Sequence, residues 1–272
     1  MALRQLHGHA VEKVWGQRAI PAIYGAPAET DDPIGEIWFA DESAPGLLVK
    51  RLFTSEKLSI QVHPNDDQAR ASGHRCGKEE AWYVLAAEPG ATIGAGFARE
   101  LSDAELRAAA LDGSIEALMV WHPVAPGDFF YVPAGTVHAI GAGLSVLEIQ
   151  QNVDLTYRLY DYGRPRPLQL DESIAAAVAA PFRHQPARAL GPAREELVAA
   201  PKFIIERLGG PGEHRVAARA AAPAWLMPVA PGCMAGATAL AAGTVWLTDE
   251  ALDVAIEDGG QMLVAWETSA EL

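Results

Sequence analysis

Four side chains of metal-binding type stand in three short segments of the chain. Gln61 and His63 fall in Gln61-Val62-His63-Pro64-Asn65-Asp66. Glu80 falls in Gly77-Lys78-Glu79-Glu80-Ala81-Trp82-Tyr83-Val84, and His138 follows the run from Gly127 to Val137. On a strand, residues two apart point to one face, so Gln61 and His63 are presented together. Glu80 opens a second strand-like run, Trp82-Tyr83-Val84-Leu85. Phe129 to Val132 has the aromatic and β-branched bias of a strand. Pro133 ends it because it cannot donate to a ladder, and Gly135 supplies the freedom for a tight turn. His138 therefore emerges at a fixed place. Each residue alone is an ordinary polar residue. Together they offer two imidazoles, one carboxylate and one amide oxygen, a set that suits a borderline divalent ion such as Zn²⁺ with room for water or substrate.

The spacing from Gly127 through Pro133 and Gly135 to His138 resembles the second signature motif of the cupin superfamily. More of the chain fits a narrower resemblance. Ser59 to Asp66, Gly77-Lys78 with Glu80 and Trp82-Tyr83, Gly127 to His138, Leu147-Glu148, and Thr156-Tyr157-Arg158-Leu159-Tyr160-Asp161-Tyr162 are similar to type I mannose-6-phosphate isomerases in their short bacterial form. The resemblance covers about residues 10 to 170 and weakens beyond. Its most specific part is Gln61 to Asp66, where general cupins carry His-x-His. The chain departs from the general cupin motif at Ala142, where that motif has Asn.

The resemblance implies a mainly β fold, a cupin-type jelly-roll barrel with a small helical insertion and a second, degenerate cupin-like β-domain. The expected divisions are a catalytic metal-binding domain over 1–165 with its insertion at about 101–119, a Pro/Ala-rich helical connection over 166–200, and a C-terminal β-domain over 201–272. It implies one Zn²⁺, or another divalent metal, on Gln61, His63, Glu80 and His138. It implies Arg158, Lys78 and Glu148 in catalysis, and Ser59, Lys78 and Arg158 in substrate binding. The implied reaction interconverts mannose 6-phosphate and fructose 6-phosphate through an enediol. Such a reaction needs an electrophile for the carbonyl oxygen, a base at the carbon-bound proton and a grip on a remote part of the substrate. Glu148 and Lys78 both remain candidates for the base. A different metal cupin enzyme, a sugar isomerase or dioxygenase, and a non-catalytic sugar-phosphate binder are the alternatives.

Lys and Arg number 21 against 35 acids, a formal charge of −14. So acidic a chain is a poor generic partner for nucleic acid or anionic membrane. An anionic substrate would be repelled at long range, so the site must gather local positive charge, which screening over about 8–10 Å allows. Cys76 and Cys233 lack a C-x-x-C partner and fit a reducing setting. No apolar signal core and no run of about 20 apolar residues is present, so a cytoplasmic protein, monomer or homodimer, is expected.

Between the motifs, Ser102 and Glu105 form a capping box opening a helix over 101–111, and a second helix follows at 115–119. Trp38 is expected in the core and His122 outside the metal set. The turn at Gly141-Ala142-Gly143 is expected to form a hairpin that returns Glu148 to His138. Arg158, a charge inside a strand, is expected in the pocket. His214 stands alone and is expected to be structural.

Overall fold

The computed structural model describes residues 3–24, 31–219 and 222–268. The chain is mainly β, as expected. A six-stranded sheet runs in the order His9–Gln17, Ile34–Phe39, Leu47–Thr54, Leu144–Gln151, Glu80–Ala87, Phe129–Val132. It faces a five-stranded sheet in the order Tyr157–Tyr160, Ile60–Val62, His138–Ile140, Thr92–Phe97, Met119–Pro123. All of these pairings are antiparallel.

Strand parity explains what each face does. On Glu80–Ala87, Trp82 and Val84 point between the two sheets, into a core with Leu52, Ile93, Phe130, Ile140 and Val146. Ala81 and Tyr83 point the other way, onto the C-terminal sheets, in a core with Phe53, Leu147, Phe203, Trp225 and Leu263. The six-stranded sheet is thus covered on both sides. That is why Leu47–Thr54 and Leu144–Gln151 are buried along their whole length, their polar and charged side chains included. The outer face of the five-stranded sheet, with Ile60, Val62, Val137 and Ala139, is covered by helical residues Leu106, Ala109, Ile115 and Ile174.

The helical insertion forms as its caps dictate. Ser102 caps Asp103–Asp112 and exchanges bonds with Glu105 in a capping box, and Gly113 closes the helix in the left-handed region at φ 81°. Ile115–Leu118 follows. In the expected helical connection a helix spans Leu170–Ala176, with Gln169 at its N-cap making no side-chain bond.

Two features differ from expectation. The expected connection over 166–200 contains strands Arg188–Gly191 and Arg194–Ala199, which extend the C-terminal seven-stranded sheet. Its prolines lie outside these strands, so they do not prevent pairing. At the other end of the same sheet, Arg4–Leu6 pairs with Val245–Thr248. A four-stranded sheet, Gly212–Val216, Leu252–Ile256, Cys233–Ala235, Thr238–Leu240, packs on it around Leu226, Val254, Val264 and Trp266. His214 is buried there, with Nε2 2.8 Å from the Gly209 carbonyl, the structural place expected of it. No helix among the described residues is long and apolar enough to cross a membrane.

Phe203 is fully buried where the C-terminal sheet meets the six-stranded one. Phe203→Ala is expected to cost about 3–5 kcal/mol through lost burial and the cavity left behind. Urea unfolding of the two proteins measures it.

Candidate metal centre and active site

The same parity builds the site. Ile60 and Val62 face the helices, so Gln61 faces the space between the sheets. Tyr157 and Leu159 face the helices, so Arg158 faces inward. Ala139 faces out, so His138 faces in. In register, His138 lies opposite Gln61, and Gln61 opposite Arg158. On the six-stranded sheet, Glu148 lies between Trp82 and Lys50.

His63, Glu80 and His138 converge: their ligand atoms all lie within 4.8 Å of one another, and all three residues are buried. His138 Nε2 is 3.1 Å from Glu80 Oε1, and His63 Nε2 is 3.4 Å from Glu80 Oε2. His138 Nδ1 stands 2.9 Å from the Thr136 carbonyl, an acceptor only. The ring proton therefore sits on Nδ1, and Nε2 turns a lone pair toward the cluster. Burial, reinforced by the charge of Lys78, pushes the His63 imidazole down to about 3, so it stays neutral with a lone pair to give. Burial opposes ionisation of Glu80, but the charge of Lys78 outweighs it and holds the carboxyl well below its usual range.

Among the described residues neither oxygen of Glu80 finds a well-directed hydrogen-bond donor, although Lys78 Nζ stands 2.7 Å from Oε2. A buried, ionised carboxylate left so, with two imidazole lone pairs beside it, is the donor set a divalent cation satisfies. Gln61 completes the ring from the side: its Nε2 is 3.3 Å from His138 Nε2, and its Oε1 accepts from Ser59 Oγ at 3.1 Å. A half-turn of the amide, which keeps its shape, brings the oxygen to the cluster.

Lys78 links this cluster to Glu148. Its Nζ lies 3.2 Å from His63 Nε2 and 3.8 Å from Glu148 Oε1. Burial alone would lower the Lys78 ammonium, but Glu148 and Glu80 outweigh it and raise it. Burial drives the Glu148 carboxyl the other way, up to about 7. Glu148 accepts from Trp82 Nε1 at 3.2 Å and meets Lys50 Nζ at 3.7 Å.

The route by which Glu148 arrives differs from expectation. His138–Ile140 and Leu144–Gln151 do not pair as a hairpin; they belong to opposite sheets. Glu148 approaches because the sheets face each other, with the Trp82 ring 5.1 Å from His138. Trp38 also departs from expectation. It is only half-buried, donates to Glu36 at 2.7 Å and carries Lys50 Nζ 4.4 Å from its ring centre. His122 sits among Phe130 and Phe182, apart from the cluster, as expected.

A cavity of about 70 Å³ lies between the sheets, lined by Ser59, Gln61, Lys78, Glu148 and Arg158 among others. Sequence reading missed Lys13, Lys50 and Arg166 in its wall. With Lys78 and Arg158 they make five basic side chains against three acids, Glu36, Glu148 and Asp154. That is the local positive charge an acidic chain needs to receive an anion. Lys50 carried the same signal as Arg158, a charge inside an apolar strand. A larger cleft, about 520 Å³, opens beside Asp66, Cys76, Glu79 and Lys202. Gln61 and Lys78, which reach the candidate metal cluster, line the small cavity, so size does not mark the chemistry here.

Mannose-6-phosphate isomerase from Streptococcus mutans is 45% identical over 134 residues, covering 47% of this chain and 42% of that protein. The probable mannose-6-phosphate isomerase GmuF of Bacillus subtilis is 38% identical over 176 residues, covering 62% of this chain and 51% of that one. The crystal structure of the Bacillus subtilis mannose 6-phosphate isomerase superposes with a TM-score of 0.83 at 24% identity, over 97% of this chain and 99% of that one. The chain resembles the mannose-6-phosphate isomerases in sequence and in fold. It spans about half the length of the curated relatives it matches. A zinc-bound mannose 6-phosphate isomerase structure has the same fold, with a TM-score of 0.77 at 14% identity over 99% of this chain and 100% of that one. No family model matches the chain.

Proposed function

We propose that this chain is a zinc-dependent isomerase that interconverts mannose 6-phosphate and fructose 6-phosphate. The observation that carries it is the buried His63–Glu80–His138 cluster joined through Lys78 to a second carboxylate, Glu148. The names of the relatives supply the substrate, and the zinc-bound neighbour supplies the metal. In this reading Gln61, His63, Glu80 and His138 hold one zinc, and residues 1–165 carry the chemistry, with 201–272 as a supporting β-unit.

When bound, zinc polarises the sugar carbonyl and stabilises the negative charge that develops on its oxygen. The chain does the rest. Glu148 takes the proton from the carbon next to the carbonyl and returns it to the former carbonyl carbon, while the hydroxyl proton passes from the neighbouring oxygen to the carbonyl oxygen, so that the species between the two steps is an enediol. A carboxyl raised to about 7 by burial is matched to that task near neutral pH. Lys78 stays charged, holding Glu148 and Glu80 in place and facing the sugar oxygens. Arg158 grips the substrate from the opposite sheet, and Ser59 lies toward the phosphate. The enclosed space fits roughly two waters, so a hexose phosphate enters by displacing half-buried side chains of the wall such as Arg158 and Arg166.

The assay is mannose 6-phosphate supplied with and without a chelator. Fructose 6-phosphate is expected to form, to cease forming when the metal is stripped, and to form again when zinc is restored. Tight sugar-phosphate binding without exchange would favour a binding protein, and oxygen uptake a dioxygenase.

A further inference from the structure

We infer that Lys202 and Asp66 are positioning residues through which the C-terminal sheets set the geometry of the metal centre. Asp66 lies three residues beyond His63, and its carboxylate gathers bonds from three separate parts of the chain. Oδ1 accepts from the Gly77 N–H at 2.8 Å and from Gln151 Nε2 at 3.0 Å. Oδ2 accepts from Lys202 Nζ at 2.6 Å. Gln151 in turn accepts from the Glu79 N–H at 2.9 Å through its side chain and donates to the Glu79 carbonyl at 3.1 Å through its backbone.

The segment leaving His63 is thereby laced to the segment entering Glu80. Lys78 N donates to the Pro64 carbonyl at 3.0 Å. A Cβ on Gly77 would stand 2.4 Å from the Asn65 carbonyl carbon, so only glycine lets the two backbones approach this closely. The distance between His63 and Glu80 is set in this crossing, and Asp66 is its hub.

Lys202 brings the far half of the molecule to that hub. Its own backbone is held by Thr268 N, which donates to its carbonyl at 3.1 Å. Its neighbour Phe203 meets Tyr131 edge-on with ring centres 6.0 Å apart, and Tyr131 donates to Glu79 at 2.6 Å. Lys202, just before the strand Phe203–Gly209, and Phe203, its first residue, therefore reach the segment carrying Lys78 and Glu80 at two points, through Asp66 and through Tyr131. Surface ion pairs contribute little to stability, but this one is three-quarters or more buried on each side and bonds directly to the backbone framing two metal ligands. Partners that orient ligands from behind typically tune metal affinity by about 10–100-fold.

This inference rests on the reading of His63, Glu80 and His138 as metal ligands. Its test is the zinc dissociation constant, measured by competition with a chromophoric chelator, beside the melting temperature of the metal-free protein. Lys202→Met keeps the stem and removes the charge. It is expected to weaken zinc by about 10-fold, with Lys202→Arg recovering most of the affinity. Asp66→Asn keeps an oxygen for Gly77 while removing the ion pair, and is expected to weaken zinc similarly. The double variant should be no weaker than the worse single, because both act through one contact. If Lys202→Met does not fold, Asp66→Asn alone carries the comparison. Variants that bind zinc as tightly as the wild type, whether or not their melting temperatures fall, would overturn the inference. A wild-type protein that binds no zinc would overturn the metal-site reading and this inference with it. Full wild-type binding beside unaffected variants overturns this inference alone.

Discussion

The His138→Ala protein is expected to come off the column without zinc and to turn over at least about 10³-fold more slowly than the parent. In the proposed site His138 is the ligand whose ring is oriented from behind by the Thr136 carbonyl, so its Nε2 is aimed before any metal arrives. Removing it leaves Glu80 buried among fewer partners, and the proposed four-point attachment falls to three points, Gln61, His63 and Glu80. Stabilising a developing oxyanion is worth several kcal/mol, and about 4 kcal/mol corresponds to about 10³ in rate. Metal content by atomic absorption and kcat by a coupled assay read the two effects separately. Retention of full zinc with lost turnover would move His138 from ligand to reactant. Retention of both would remove it from the site.

Glu148→Gln is expected to behave differently: zinc retained, fold retained, and kcat reduced by about 10²–10⁴-fold with a much smaller change in KM. That range is what positioned proton transfer by a side chain contributes. Glutamine has the same shape and still accepts from Trp82 Nε1, but it cannot take a proton from carbon. The choice of Glu148 over Lys78 follows from opposite environments. Burial pushes Glu148 up toward the working pH, while the two carboxylates beside Lys78 keep it charged. Lys78→Met is then expected to damage metal binding and kcat together, because Lys78 contacts both Glu80 and Glu148. A Glu148→Gln protein with more than about a tenth of parental kcat would exclude it as the base.

The candidate metal cluster was legible because each of its residues sits at a place that local chemistry marks. Gln61 and His63 share a strand period, Glu80 opens a strand, and His138 follows a Pro-x-Gly turn. The capping box at Ser102 and Glu105 was legible for the same reason: its signal lies within four residues. Arg158 stood out as a charge in an apolar strand, and Lys50 offered the same signal. What Lys50 does was not legible, because its partner Glu148 comes from register across the sheet. The misplaced hairpin after His138 has a physical reason too. A glycine-rich turn shows where a chain reverses, not whether the next strand pairs with the last one or crosses to the facing sheet. Trp38 read as core because tryptophan is mostly buried, yet its ring serves as a platform for the Lys50 ammonium beside the cavity. The strands at 188–199 were hidden by the prolines around them. The Lys202–Asp66 contact joins distant parts of the sequence and leaves no local mark at all.

The most direct test is a crystal of the zinc-loaded protein measured at the zinc absorption edge. The account predicts one strong anomalous peak per chain, about 2.0–2.2 Å from His63 Nε2, His138 Nε2 and an oxygen of Glu80, with the Gln61 amide oxygen turned toward it. A peak held by other residues, or none in a protein that still isomerises mannose 6-phosphate, would contradict it.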